Sequence, residues 1–330
     1  MRLLIGLVMS LIVAIGAYIS FTSRPLPVFA ATSTPADRFS ATGLALVGNR
    51  LVAVGELGHI LVSEDQGKTW KSAQVKDNRG SALTQVTFFN DKDGVAVGHD
   101  AWALMTEDGG LNWHETLFDK TVSEPLLGVW GLAEGPVFAY GSFGRFFVSN
   151  DHGRTWEKRE SGSGDTHIYA IAGAKDGHLM MVGERGLAMK STDYGTTWQK
   201  MPEFYRGTMF GVIRLSAEEW VAYGLRGNVF LTKDFGATWK QIQTNISVGL
   251  FGHTVLEDGT ILIYGQGGVV IASNDQGDNF RIVQENKGNN LTAVVALPGG
   301  RLVSAALGGI HELNLDAGKH DKNDKQGAGQ

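Results

Sequence analysis

Along most of the chain, apolar and polar residues alternate in short runs that stop at glycine-rich turns. The pattern is clearest in "RLVAVGELGHILVS" (50–63), "GVAVGHDAWALMT" (94–106), "PVFAYGSFGRFFVS" (136–149), "HLMMVGERGLAMKS" (178–191), "EWVAYGLRGNVFLT" (219–232) and "TILIYGQGGVVIAS" (260–273). A period of two, rich in valine, tyrosine, phenylalanine and leucine and broken by a glycine tip, predicts a β-hairpin in each stretch. A further apolar run precedes each hairpin, such as "LTQVTFFN" (83–90) or "MFGVIRLS" (209–216). Another follows it, such as "KSAQV" (71–75) or "HETLF" (114–118). Each unit therefore predicts four short antiparallel strands.

The units are punctuated by a second motif. "SEDQGKTW" (63–70) returns as "TEDGGLNW", "SNDHGRTW", "STDYGTTW", "TKDFGATW" and "SNDQGDNF", with its aspartate at Asp65, Asp108, Asp151, Asp193, Asp234 and Asp275. The successive spacings are 43, 43, 42, 41 and 41 residues. A repeat of this length built from four strands is the unit of a β-propeller blade. A seventh unit, 291–313, keeps three strands and lacks the aspartate motif. The sequence thus predicts an all-β, seven-bladed propeller over 31–314. A segment ahead of residue 43, at 27–33, is expected to supply the missing outer strand, because an open sheet edge invites aggregation. In the motif itself, aspartate accepts turn N–H groups, glycine supplies a positive φ and the aromatic ring packs between blades. These residues are read as folding staples, neither catalytic acids nor calcium ligands.

The repeated "S-x-D-x-G-x-T-W" is the Asp-box, or bacterial neuraminidase repeat. The longer unit, "VGxxGxIxxSxDxGxTW", resembles the photosystem II stability and assembly factor family over residues 40–314. That resemblance implies a seven-bladed propeller, exported, with relatives in non-photosynthetic bacteria. It also implies a non-enzymatic role in photosynthesis-type assembly, with a partner protein received on an arginine-bearing face.

Composition narrows the setting. "MRLLIGLVMSLIVAIGAYISF" opens with one arginine and an apolar run to Phe21, followed by a small-residue site around Ala30. Residues 1–30 are therefore expected to be a signal peptide or a retained anchor, the apolar run at 3–21 approaching bilayer length. The expected location is periplasmic or lumen-like. Net charge is −5, and loss of 1–30 leaves 27 basic against 34 acidic residues, so no nucleic-acid partner is expected. There is no cysteine, which excludes disulfides and thiolate chemistry. The nine histidines lack metal-ligand spacing, so no metal and no cofactor are expected. The tail, 315–330, is polar, aperiodic and expected to be disordered.

Propeller geometry sorts the remaining charges. Hairpin tips between second and third strands share a face with the connections between blades, and the Asp-box turns occupy the other. The Asp-box face gathers "SED", "NDKDG", "AEG", "AEE" and "LEDG" and is expected to be acidic. The opposite face offers Arg145, Arg185 and Arg226 from tips, with Arg159 and Arg206 from connections. Of these, Arg185 and Arg226 match the family's hairpin positions. Guanidinium groups suit carboxylates and protein termini. The five arginines are therefore candidate contacts for a protein partner, an integral membrane protein or its exposed terminus. The competing expectation pairs each arginine with a nearby acid such as Glu184 or Glu203. A glycosidase of the sialidase type would instead need Tyr205, a glutamate and an aspartate to converge beside Arg185, Arg206 and Arg226.

Overall fold

The alternating runs become seven antiparallel sheets in ring order. A computed structural model describes residues 2–21, 35–119, 121, 123–285 and 288–315. Blade 1 comprises Ala41–Val47, Arg50–Gly55, Ile60–Ser63 and Lys71–Ser72. Blades 3 to 6 repeat that four-stranded order, beginning at Leu126, Ile168, Met209 and Leu250. Blade 7 has three strands among the described residues, Leu291–Ala296, Leu302–Ala306 and Gly309–Leu313. The segment predicted to complete it, 27–33, lies outside the described residues, as does the tail beyond Leu315. Blade 2 is widened to five strands, because Gln74–Val75 from the preceding connection pairs parallel to its outer strand Asn112–Leu117.

The core is divided in the same way. Seven apolar clusters form, each between two neighbouring blades. One joins the ends of the ring: Phe39, Leu44 and Leu51 of the first blade pack with Leu297, Val303 and Ile310 of the seventh. Second strands are buried on both faces, since each is flanked in its sheet and covered by the next blade. This explains the continuous apolar runs "LVAV", "VFAY" and "ILIY".

The Asp-box turns close as the motif predicts. Ser63 Oγ accepts from Gly67 N at 2.8 Å and donates to Asp65 Oδ1 at 2.8 Å. Asp65 in turn accepts from Thr69 N at 2.8 Å and from Thr69 Oγ1 at 2.6 Å. The same lattice recurs around Asp151, Asp193 and Asp234. At Asp108 and Asp275 the amides of Asn112 and Asn279 take the place of the threonine hydroxyl. The aromatic ring of each motif reaches the interface with the preceding blade, as at Trp113, Trp156 and Trp198. Hydrogen bonds to Thr69 hold the Asp65 carboxyl down at about 2.

The N-terminal unit is separate. Arg2–Phe21 forms one 20-residue helix whose described side chains, among them Leu7, Leu11 and Val13, are exposed.

Candidate functional site

Two features of the ring offer chemistry beyond folding: the tips between second and third strands, and the channel that the first strands enclose. Each tip in blades 1 and 3 to 6 is a single 3-10 turn entered from an extended glycine. Its middle residue is left-handed: Leu57, Phe143, Arg185, Arg226 and Gly267, with φ of 54°, 53°, 52°, 58° and 67°. Glycine adopts that conformation without strain, whereas a bulky residue does so only when the turn imposes it. The geometry aims the side chain away from the protein, and Leu57 and Phe143 are each 59% exposed.

The five arginines separate into distinct groups. Arg185 stands at the blade 4 apex with its side chain 79% exposed, its contact being Glu184 at 3.7 Å. Arg226, at the blade 5 apex, is exposed and makes no ion pair among the described residues. Arg206 lies in the connection between these blades, 88% exposed and bonded to Glu203 at 2.7 Å. That connection ties the two tips together. Gly186 N donates to Gly207 O at 2.9 Å, and Asn228 Nδ2 donates to the Tyr205 hydroxyl at 3.1 Å. The structure therefore brings Arg185, Arg206 and Arg226 into one sector.

Arg145 is placed differently. The apex of its tip is Phe143; Arg145 follows it, only 12% exposed, held by Glu124 at 3.1 Å and Asp119 at 3.9 Å. Arg159 sits just past the outer strand of blade 3, with Glu157 at 2.6 Å. Both are engaged with their own acids. The blade 2 tip folds inward: Trp102 is fully buried beneath it, and Asp100 accepts from Ser81.

Part of the acid on the opposite face is paired. Cations from turns on the same face lace its acids together: Arg50 with Glu64, Arg154 with Glu107 and Asp93, Lys233 with Asp278, and Arg214 with Asp176. Such pairs contribute little individually, and Asp91, Glu134, Glu218 and Glu257 of the same face have no ion pair among the described residues.

The channel has a volume of about 520 Å³. Three tyrosines, Tyr140, Tyr223 and Tyr264, lie behind its wall, each with its ring over a glycine of the first strand. Gly128, Gly211 and Gly252 are needed there, since any Cβ would strike the ring. The Tyr223 hydroxyl lies 2.8 Å from His253 Nδ1, and enclosure pushes the His253 imidazole down to about 4. His253 is therefore neutral near pH 7. No group of three or more histidines and acids is arranged to hold a metal among the described residues. The Tyr205 hydroxyl meets Asn228 with no carboxylate bonded to it, and its ring packs on Phe230 at 5.4 Å. That is the setting of a positioned ring.

Residues 11–107 match the family model of the photosynthesis system II assembly factor YCF48, and residues 147–158 match the BNR/Asp-box repeat. A search of curated proteins finds no match. Among solved structures, YCF48 from Cyanidioschyzon merolae superposes with a TM-score of 0.67 at 17% identity, over 88% of this chain and 97% of that one. YCF48 bound to D1 peptide gives a TM-score of 0.67 at 17% identity, over 87% and 98%. The WD40 propeller domain of Doa1 reaches 0.67 at 9% identity, over 85% and 94%, so the superposition speaks for the fold. With six Asp-box blades in a ring of seven and the matched N-terminal third, the chain is similar to the photosystem II assembly factor family of BNR-repeat propellers.

Proposed function

We propose that the chain is a non-enzymatic binding or assembly factor that receives a membrane-protein partner on its tip face. The observation that carries this reading is the pair of arginines held outward at left-handed apices of adjacent blades, Arg185 and Arg226. The left-handed backbone presents each long cation to solvent with little internal contact in return, Arg185 meeting its neighbour Glu184 at 3.7 Å, and such strain concentrates at functional surfaces. Arg206 adds a third guanidinium between them, and the trio suits carboxylates of an acidic segment or a free C-terminus. The similar protein solved with a bound D1 peptide supports the reading by analogy of fold. Arg145 and Arg159 contribute at the margin of the sector.

The proposal extends to location. The N-terminal helix, with Arg2 as its one charge, serves as an export signal or an anchor, placing the propeller in a periplasm or lumen. The test is affinity purification from envelope membranes with the wild type and with Arg185→Glu/Arg226→Glu. A membrane protein captured by the wild type and lost from the double variant is the expected result. Retention of the partner by the double variant overturns the arginine site.

A further inference from the structure

The rim of the channel on the tip face is chemically split in two. The second residue of each first strand occupies an equivalent place around it: Thr42, Thr84, Leu127, Tyr169, Phe210, Phe251 and Thr292. Where that residue is threonine, its hydroxyl donates to a carbonyl of the next blade's first strand. Thr42 reaches Leu83 O at 2.6 Å, Thr84 reaches Leu126 O at 2.8 Å, and Thr292 reaches Ala41 O at 2.8 Å. In blades 3 to 6 this stitch is given up for a large apolar side chain.

Those side chains form a continuous track. Phe143 at the blade 3 apex meets His167 at 4.8 Å between ring centres, and His167 is 6.2 Å from Tyr169. Tyr169 meets Phe210 edge-on at 5.1 Å, and Phe210 meets Phe251 edge-on at 5.5 Å. Tyr169 and Phe210 are half-buried, and Phe251 remains 36% exposed. Folding alone does not require the arrangement, because the threonine half closes the same joints with hydrogen bonds. A contiguous apolar track that reaches the surface at both ends, through Phe143 and Phe251, is a candidate contact surface.

Charge lies beside it. The turn bearing Arg185 rests against the strand Met209–Arg214 that carries Phe210, and the turn bearing Arg226 rests against Leu250–Val255, which carries Phe251. We infer that the arc Tyr169–Phe210–Phe251 binds an apolar side chain of an extended peptide whose nearby carboxylate is held by Arg185 and Arg226. This rests on the docking reading above and specifies its ligand: an acidic segment with an apolar residue close along the chain. The aromatic arc supplies apolar contact area, and the arginines set direction and encounter rate.

The probe is a random dodecapeptide library displayed with free C-termini, selected on the full chain in detergent. The expected selectants combine acidic and apolar residues. Against a labelled selectant, Phe251→Ser should weaken binding about tenfold, and Phe210→Ser similarly. Phe251→Leu should restore most of the affinity and thus report on apolar contact, with thermal melts confirming folded variants. Selectants that keep acids but show no apolar preference overturn the arc and leave the arginine site standing. Selectants without acidic preference, or no selectants, overturn both. Weakening by Arg185→Glu/Arg226→Glu with no effect of either serine variant also overturns the arc. So does loss of self-association, in place of peptide binding, in the serine variants.

Discussion

Both faces of the ring carry non-glycine residues in the left-handed conformation, and three on one face contrast with three on the other. On the Asp-box face, His152 (φ 59°) lies on the Phe89 ring at 5.5 Å and bonds to Ala133 O at 2.9 Å. Tyr194 (φ 59°) donates its hydroxyl to Lys175 O at 2.8 Å, and Phe235 (φ 50°) is buried against Trp220. In these three the strained residue is folded back and its side chain offsets the cost through packing, whereas Gln276 (φ 58°) on the same face is exposed. On the tip face, Leu57, Arg185 and Arg226 are strained to the same degree and pointed at solvent. Equal backbone cost meets unequal internal return at these positions.

The largest expected effect tests the first half of that contrast. Trp113 is buried between blades 1 and 2 and donates its indole N–H to Gly110 O at 2.8 Å. Trp113→Ala should cost about 3–5 kcal/mol, read by chemical denaturation, because it opens a cavity in an interblade core. Phe143→Ala, on the tip face, should stay within about 0.5 kcal/mol. A comparable loss at both positions would erase the distinction.

Acid is the next probe. The Asp65 carboxyl is lowered from 3.8 to about 2 by Thr69, and the other Asp-box carboxyls are lowered in the same direction. Folded values below unfolded ones mean that the stabilisation is complete above the unfolded value and is lost as pH falls through the folded one. Melting temperature should therefore drop steeply from about pH 4 towards pH 2. His253 acts over an earlier window. Its imidazole is lowered from 6.5 to about 4 by burial, so the unfolded chain takes the proton first and stability declines between those values. His253→Gln should flatten the shallow limb and leave the steep one.

The smallest effect sharpens the comparison most directly. Arg226→Gly and His152→Gly relieve the same backbone strain on opposite faces. The first should change stability by no more than about 0.5 kcal/mol in either direction, because relief and unfolded-state entropy oppose each other. The second should lose about 1 kcal/mol, since stacking and a hydrogen bond disappear with the ring. Paired urea denaturation curves decide it; a gain at His152 would show that packing there returns nothing.

Much of this was legible beforehand. The Asp-box spacing set the period and six of the seven blades, because a local turn motif with its own hydrogen bonds survives in sequence wherever the turn survives, and the seventh was read from its strand pattern. The apex arginines were visible for the same reason: "GERG" and "GLRG" sit at fixed offsets from a strand end. The fates of Arg145 and Arg159 were not, because their acids, Asp119 and Glu124 for one and Glu157 for the other, are chosen by side-chain reach and not by period. The aromatic arc had a signal that went unread: stacking the seven first strands gives Thr, Thr, Leu, Tyr, Phe, Phe, Thr in one column. Apolar residues in a strand look like core until it is known that the strand is innermost, beside an open channel. The pairing of some acids on the Asp-box face was not legible, since the cations, such as Arg154 and Lys233, come from turns of other blades.

The joint between the seventh and first blades has a consequence for how the chain can be cut. Thr292 bonds to Ala41 O just as Thr42 bonds to Leu83 O, and the cluster around Phe39 and Ile310 resembles the six others. The joint between the last and first blades is built like those around Thr42 and Thr84. A circular permutant opened at the exposed connection around Asn245, with a linker joining the present ends of the propeller, keeps all seven joints. The order in which the blades leave the ribosome is then separable from the shape they make.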